Sequence, residues 1–298
     1  MAPVRLQAAG DLQQHLRDQY KDKIFVLRGF PQSADLRYDS GGMPATGAAN
    51  SGDWTVAGFV RIESLDLSHH RLTIHAERLH LGVAPGMGFQ LIQFSVDKKG
   101  KDAKKLRIEV AIDPEVTSPE NADAALARVF LTAQDRFAEL VPDYWKPCVR
   151  AASTGRAAKD LVDCHFSPEF AAIPGVVYRS EENPELKEPD SDSTAVYGEI
   201  VRDLRPRDGI TQPKIAMQGY ASFSEEARQA KYGGNVTLSI IVDKTGQPSR
   251  IRIIRPTGMG LDRRAVETVA KWQFNPGIKD GQPVAMGPIP VQVDFHLY

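Results

Sequence analysis

Apolar side chains recur along this chain with two periods, and the switch between them marks out its elements. Over residues 11–20, Leu12, Leu16 and Tyr20 fall at helical spacing, and the β-rich run 23–28 follows, so a short helix feeds a strand. Residues 54–62 and 71–81 read as strands, with Leu72, Ile74 and Ala76 on one face and Thr73, His75 and Glu77 on the other. A turn near 68–70 joins them into a hairpin. Residues 89–96 and 106–112 form a second candidate pair. Ser118, Pro119 and Glu120 open the strongest helix of the first half, whose stripe runs through Ala125, Val129, Phe130, Phe137 and Leu140 until Val141-Pro142 stops it. Helices around about five strands predict a β-rich domain, either a curled sheet or a small open barrel.

Two stretches break the patterns. Residues 40–52 are rich in Gly, Ser and Asn and read as a mobile loop. Residues 180–193 are acidic, with Pro184, Pro189 and a single aliphatic side chain, Leu186, too little to offset the entropy of ordering. The chain therefore divides into a β-rich domain with helices over residues 1–175, an acidic Pro-containing linker over 176–210, and a second domain over 211–298.

The second domain has its own α+β pattern. Ser222 or Ser224 caps a short helix with Glu225 and Glu226 in its first turn, and Gly233-Gly234 ends it. Val236, Leu238, Ile240 and Val242 alternate, the turn Asp243-Lys244-Thr245-Gly246 follows, and Ile251 and Ile253 point inward on the return strand. Asp262 caps a second helix that lays Ala265, Val269 and Trp272 on this hairpin. In the last strand Ile289, Val291, Val293, Phe295 and Leu297 alternate with Gln292, Asp294, His296 and Tyr298.

Several short motifs in that domain fall in a recognisable order. Phe223, Ser224, Glu226 and Ala227 open the first helix; Gly234 and Gly246 flank the hairpin; Asp262, Trp272, Phe274 and Pro276 follow. The series resembles the TonB C-terminal domain family over about residues 211–298, although the family's Tyr-Pro before the first helix is Phe223-Ser224 here. The resemblance implies a three-stranded antiparallel sheet covered by two helices. It implies a non-enzymatic periplasmic protein that couples to or binds outer-membrane TonB-dependent transporters in the energy-dependent uptake of siderophores, cobalamin or sugars. Such domains capture an extended transporter segment by adding it as a strand to the sheet edge, here Ile289, Val291, Gln292, Val293, Asp294, Phe295, His296 and Leu297. Pro288 and Pro290 suit an edge, since proline cannot donate to a central ladder. On this reading a proline at Val293 should abolish binding and Gln292→Ala should matter little. The alternative is a periplasmic structural or ligand-binding protein in which the module serves dimerisation or docking.

Composition narrows the partners. Basic and acidic residues number 37 and 38, for a net charge of -1, so no global field draws nucleic acid. The basic run from Lys98 to Lys105 has no interleaved aromatic and reads as a solvated hairpin tip. No run approaches the ~20 apolar residues of a membrane span, and the N-terminus lacks a signal's apolar core, leaving a cytosolic protein or a mature exported one. Cys148 and Cys164 are the only cysteines. In an exported protein such a pair is most simply a disulfide, closing a loop of about 16 residues at roughly 3 kcal/mol in the chain-entropy model; two buried thiols are the alternative. His69, His70, His75 and His80 are the one cluster that suggests metal, yet His75 and His80 sit an odd number apart on a strand and face opposite sides. No dinucleotide, P-loop or hydrolase motif appears, so neither metal nor cofactor is expected.

Overall fold

The computed structural model describes residues 2–45, 50–68, 70–92, 105–113, 117–155, 159–177, 200–205 and 209–297; the acidic run 180–193 and most of the lysine-rich tip lie outside them. In chain order the elements begin α1 (Ala2–Tyr20), β1 (Ile24–Val26), β2 (Asp35–Tyr38), α2 (Trp54–Ala57), β3 (Phe59–Ser68), β4 (Arg71–Ala84), β5 (Gly88–Ile92) and β6 (Lys105–Val110). Four helices follow: α3 (Pro119–Val129), α4 (Phe137–Leu140), α5 (Lys146–Thr154) and α6 (Pro168–Ala171). The remainder is β7 (Ile210–Thr211), β8 (Lys214–Met217), α7 (Glu225–Gln229), β9 (Gly234–Val242), β10 (Pro248–Arg255), α8 (Leu261–Val269), β11 (Gln273–Asn275), β12 (Gly277–Lys279), β13 (Gln282–Val284) and β14 (Met286–Phe295). Two compact units result. One comprises Met1–Gly82, Gln90–Leu140 and Pro168–Val176; the other takes Val83–Phe89, Val141–Ser167 and Val177–Tyr298.

In the first unit a sheet runs in the order β1-β3-β4-β6-β2, with β5 paired to β4. Its outermost strands, β1 and β2, do not pair with each other, so the sheet does not close. β3 and β4 form an antiparallel hairpin ending at Ser68↔Arg71, and β2 joins β6 in parallel. Alternation buries Leu72, Ile74 and Ala76 of β4 with Ile108 and Val110 of β6, and the same core receives Leu12 and Leu16 from α1 and Ala122, Leu126 and Val129 from α3. Burying each large aliphatic side chain contributes about 1.5–3 kcal/mol, which is what holds the helices to the sheet.

Several boundaries in this unit differ from the sequence reading. Residues 54–57 turn as a helix rather than a strand because Asp53 caps them, its carboxylate accepting from Thr55 N–H at 2.8 Å. β6 pairs with β4 and β2, not with β5. Alternation fixes the face a strand shows, not its neighbour. The helix opened by Ser118 stops at Val129; Phe130 is extended and packs 5.2 Å from Phe25. Phe137 lies instead against Trp54 and Phe59, at 5.1 and 5.8 Å, and Leu140 is exposed. Part of the expected loop at 40–52 is pinned, since Asp39 accepts from the N–H groups of Gly41 and Met43, both at 2.9 Å.

The second unit centres on an antiparallel sheet in the order β10-β9-β14. Val236, Leu238, Ile240 and Val242 of β9 are fully buried, as are Ala227 of α7 and Leu261, Ala265 and Val269 of α8. Smaller antiparallel ladders join β11 to β8, and β12 to β13 and β7. Cys148 and Cys164 are bonded, with Cα atoms 5.1 Å apart, inside the distance a disulfide requires.

Three details of this unit also differ. Register shifts in β10 leave Ile253 buried but Ile251 only half-buried. α8 starts after Gly260, and Asp262 does not cap it; the carboxylate reaches back to accept from Thr257 N–H at 2.8 Å and Gly258 N–H at 2.6 Å. β14 starts at Met286 and ends at Phe295, so His296 and Leu297 lie beyond it, Leu297 exposed.

Candidate functional site

Successive residues of an antiparallel strand turn their main-chain groups to opposite sides, so a single bond reveals which groups of β14 remain free. Thr257 Oγ1, from the segment that follows β10, donates to the Asn235 carbonyl at 2.9 Å. Asn235 therefore spends its main-chain groups on the β10 side of β9. Its partner across the ladder is Asp294, and the two form a non-hydrogen-bonded pair in which the N–H and C=O of Asp294 point away from β9. By the two-residue period Gln292 does the same. Pro290, opposite Ser239, falls in the same class, so its missing N–H removes nothing from the β9 ladder.

This geometry corrects one expectation. The main-chain groups of Val291, Val293 and Phe295 face β9, so a proline at Val293 would break the sheet's own ladder instead of a partner's. The outward donors belong to Gln292 and Asp294. Their side chains are exposed and joined by a 2.7 Å bond from Gln292 Nε2 to Asp294 Oδ1, while those of Val291, Val293 and Phe295 are buried and that of Ile289 is half-buried.

The start of β14 is already occupied by the chain itself. Val201 N–H donates to the Ala285 carbonyl at 3.0 Å and its C=O accepts from Gly287 N–H at 3.2 Å. Ile200 packs with Ile241 and Ala285 to anchor this contact. Beyond Gly287, no strand among the described residues pairs with the outer side of β14.

The family model described as Gram-negative bacterial TonB protein C-terminal matches residues 220–297. That segment belongs to the TonB C-terminal family. Among solved structures, the chain is similar to the solution NMR structure of the Pseudomonas aeruginosa TonB CTD, at 18% identity and a TM-score of 0.24, covering 29% of this chain and 88% of that one. At that score the likeness adds nothing to the fold described above. None of the curated proteins matches the chain.

Within the TonB domain the motif residues brace the sheet and do not converge on one spot. Ser224 caps α7, its Oγ accepting from Ala227 N–H at 3.1 Å while its hydroxyl donates to the Met259 carbonyl. Glu226 lies half-buried in the same first turn, where a carboxylate suits the positive end of the helix. Gly234 opens β9 as the ladder partner of Phe295, and Phe223 meets the Phe295 ring edge-on at 5.5 Å, so these two motif residues support the end of the open strand.

The hairpin turn has the tightest fit. Gly246 has φ +85°, and its carbonyl accepts from Phe274 N–H at 2.9 Å, with Pro276 half-buried beside it. Asp243 accepts from the N–H groups of Thr245 and Gln247 at 2.8 and 3.0 Å. Partial burial would raise the Asp243 carboxyl, but the Thr245 hydroxyl, which donates to it at 2.6 Å, together with these N–H groups outweighs burial and holds it below the usual carboxylate range. Trp272 lies just beyond α8 and not on it as the sequence reading expects, and its Nε1 donates to the Gly219 carbonyl at 3.2 Å, tying the turn after α8 to the segment after β8.

Sequence reasoning missed two features. One is Val201 on the edge, a lone contact with no pattern around it. The other is a shallow cleft of about 370 Å³ lined by Met217, Tyr220, Arg264, Thr268 and Lys271. Met217 and Tyr220 are exposed there, and only the folded chain brings β8 and α8 side by side.

Proposed function

We propose that the TonB C-terminal domain of this chain binds an extended segment of an outer-membrane TonB-dependent transporter in the periplasm, adding it as a strand to β14. The observation that carries this reading is the pair of outward N–H groups at Gln292 and Asp294 on an outer strand, a template for any suitable extended chain. Binding through main-chain groups tolerates varied partner side chains. It therefore suits a protein serving uptake of siderophores, cobalamin or sugars. The role is one of binding and energy coupling, without catalysis. No helix of the described residues is long and apolar enough to cross a membrane.

Exposed Ile215 and Met217 on β8, with Tyr220 beyond it, favour a second reading in which the module docks or dimerises. One titration separates the two. When the labelled full-length chain is mixed with a synthetic peptide of a transporter's extended periplasmic segment, amide exchange at Gln292 and Asp294 should slow while Val293, already bonded to β9, changes little. Slowing confined to β8 would support docking and sink strand addition.

A further inference from the structure

The opposite outer strand of the same sheet is closed by the chain itself. On β10, Ile253 N–H donates to the Tyr144 carbonyl at 2.9 Å, and the Ile254 carbonyl accepts from Val162 N–H at 2.9 Å. Between those two points α5 packs against β10, and the Cys148–Cys164 disulfide ties α5 to the residues that follow Val162. Arg255 faces Asp163 at 4.0 Å. Cys148 is fully buried and Cys164 nearly so, so the bridge is a fixed part of the packing.

An outer strand with free main-chain groups pairs with other chains. A sheet open on both sides would let the β10 of one copy meet the β14 of the next. That contact is head-to-tail and can repeat from copy to copy.

We propose that residues 144–155 and 159–164 are a built-in guard of the β10 edge, locked by the disulfide, which leaves β14, among the described residues, as the edge of this sheet open to strand addition and prevents end-to-end association of the chain. The guard does not depend on the identity of any partner strand; it decides which edge an extended chain can reach.

The test uses the full-length chain carrying Cys148→Ala and Cys164→Ala together, measured by amide exchange and by light scattering across a concentration series. Without the bridge, exchange at Ile253 and Val162 should quicken by about 100-fold, the factor that corresponds to closing a loop of this size. Leu238 on the central strand should keep its protection, and the variant should associate as concentration rises. Unchanged exchange at Ile253 and Val162 overturns the proposal. So does faster exchange in a chain that stays monomeric throughout, because the segment is then packing and not a guard. If Leu238 also loses protection, Val162→Pro decides, since it removes one guard bond and keeps the bridge. Selective loss at Ile253 with association supports the guard, and an unchanged Ile253 refutes it.

Discussion

Replacing Gly246 with Ala tests how the hairpin turn is held to the rest of the TonB domain. A side chain at φ +85° costs about 1–2 kcal/mol in the left-handed region. The added Cβ would also lie 1.9 Å from the Phe274 carbonyl oxygen, which is main chain and cannot rotate aside. Relieving that contact moves β11 and breaks the 2.9 Å bond from Phe274 N–H to the Gly246 carbonyl, a further loss of about 1 kcal/mol. Repacking around buried Phe274 adds roughly 1–3 kcal/mol, for a total near 3–6 kcal/mol. Gly281 supplies the control, because its φ is +78° yet a Cβ there meets nothing within 4 Å. Gly281→Ala should therefore cost only the conformational part, about 1–2 kcal/mol. Amide exchange at Leu238 and Val242 of β9 reads both variants in the intact chain. Equal losses of protection in the two would refute the reasoning, since they would mean that the close approach of Gly246 to β11 adds nothing.

The Tyr232 hydroxyl donates to the Thr257 carbonyl at 2.9 Å and accepts from Val83 N–H at 3.1 Å, so Tyr232→Phe should lower stability by about 1–2 kcal/mol in denaturant melts at neutral pH. Burial, with a smaller contribution from the nearby Asp262 charge, holds the Tyr232 phenol above its usual value of 10.0, although the Val83 bond acts the other way. The stability this confers is complete below the unfolded pKa and is lost as pH rises through the folded one, so Tyr232→Phe should show a shallower decline in alkali above pH ~10 than the parent. Asp262→Ala leaves the buried N–H groups of Thr257 and Gly258 without their carboxylate, and should cost roughly 2–4 kcal/mol in thermal unfolding; a loss under ~0.5 kcal/mol would show that water replaces it freely.

The C-terminal strands were legible because each carries one fully buried face. Val236, Leu238, Ile240 and Val242 give an unbroken two-residue period, and Ser224 is a helix cap that the chain can read locally. What escaped the sequence are features made by tertiary contact. Asp262 has the composition of an N-cap, yet Gly260 takes that position and frees the carboxylate for the loop behind it. The partner of β6 could not be read because strand alternation carries no information about neighbours, and the β2–β6 pair is parallel between strands far apart in sequence. The stretches 83–89 and 141–167 belong by position to the first domain of the sequence reading, while their contacts gather them with the C-terminal strands. At the open edge, the exposed and buried faces of β14 were evident from sequence. Which residues turn their N–H groups outward depended on the Thr257–Asn235 bond, which no pattern encodes.

The most direct test of strand addition at β14 is the affinity of a transporter-segment peptide for Gln292→Pro set beside Gln292→Ala. Pro290 already sits in this strand on the same side of the ladder, so a proline at 292 removes an outward donor while leaving the β9 bonds of Val291 and Val293 in place. Losing that bond and leaving the partner's carbonyl unpaired amounts to about 1.5–3 kcal/mol, so Gln292→Pro should weaken binding by roughly 10- to 100-fold, with Gln292→Ala within about threefold of the parent. A folded Gln292→Pro chain that binds the peptide as tightly as the parent would contradict strand addition at this edge.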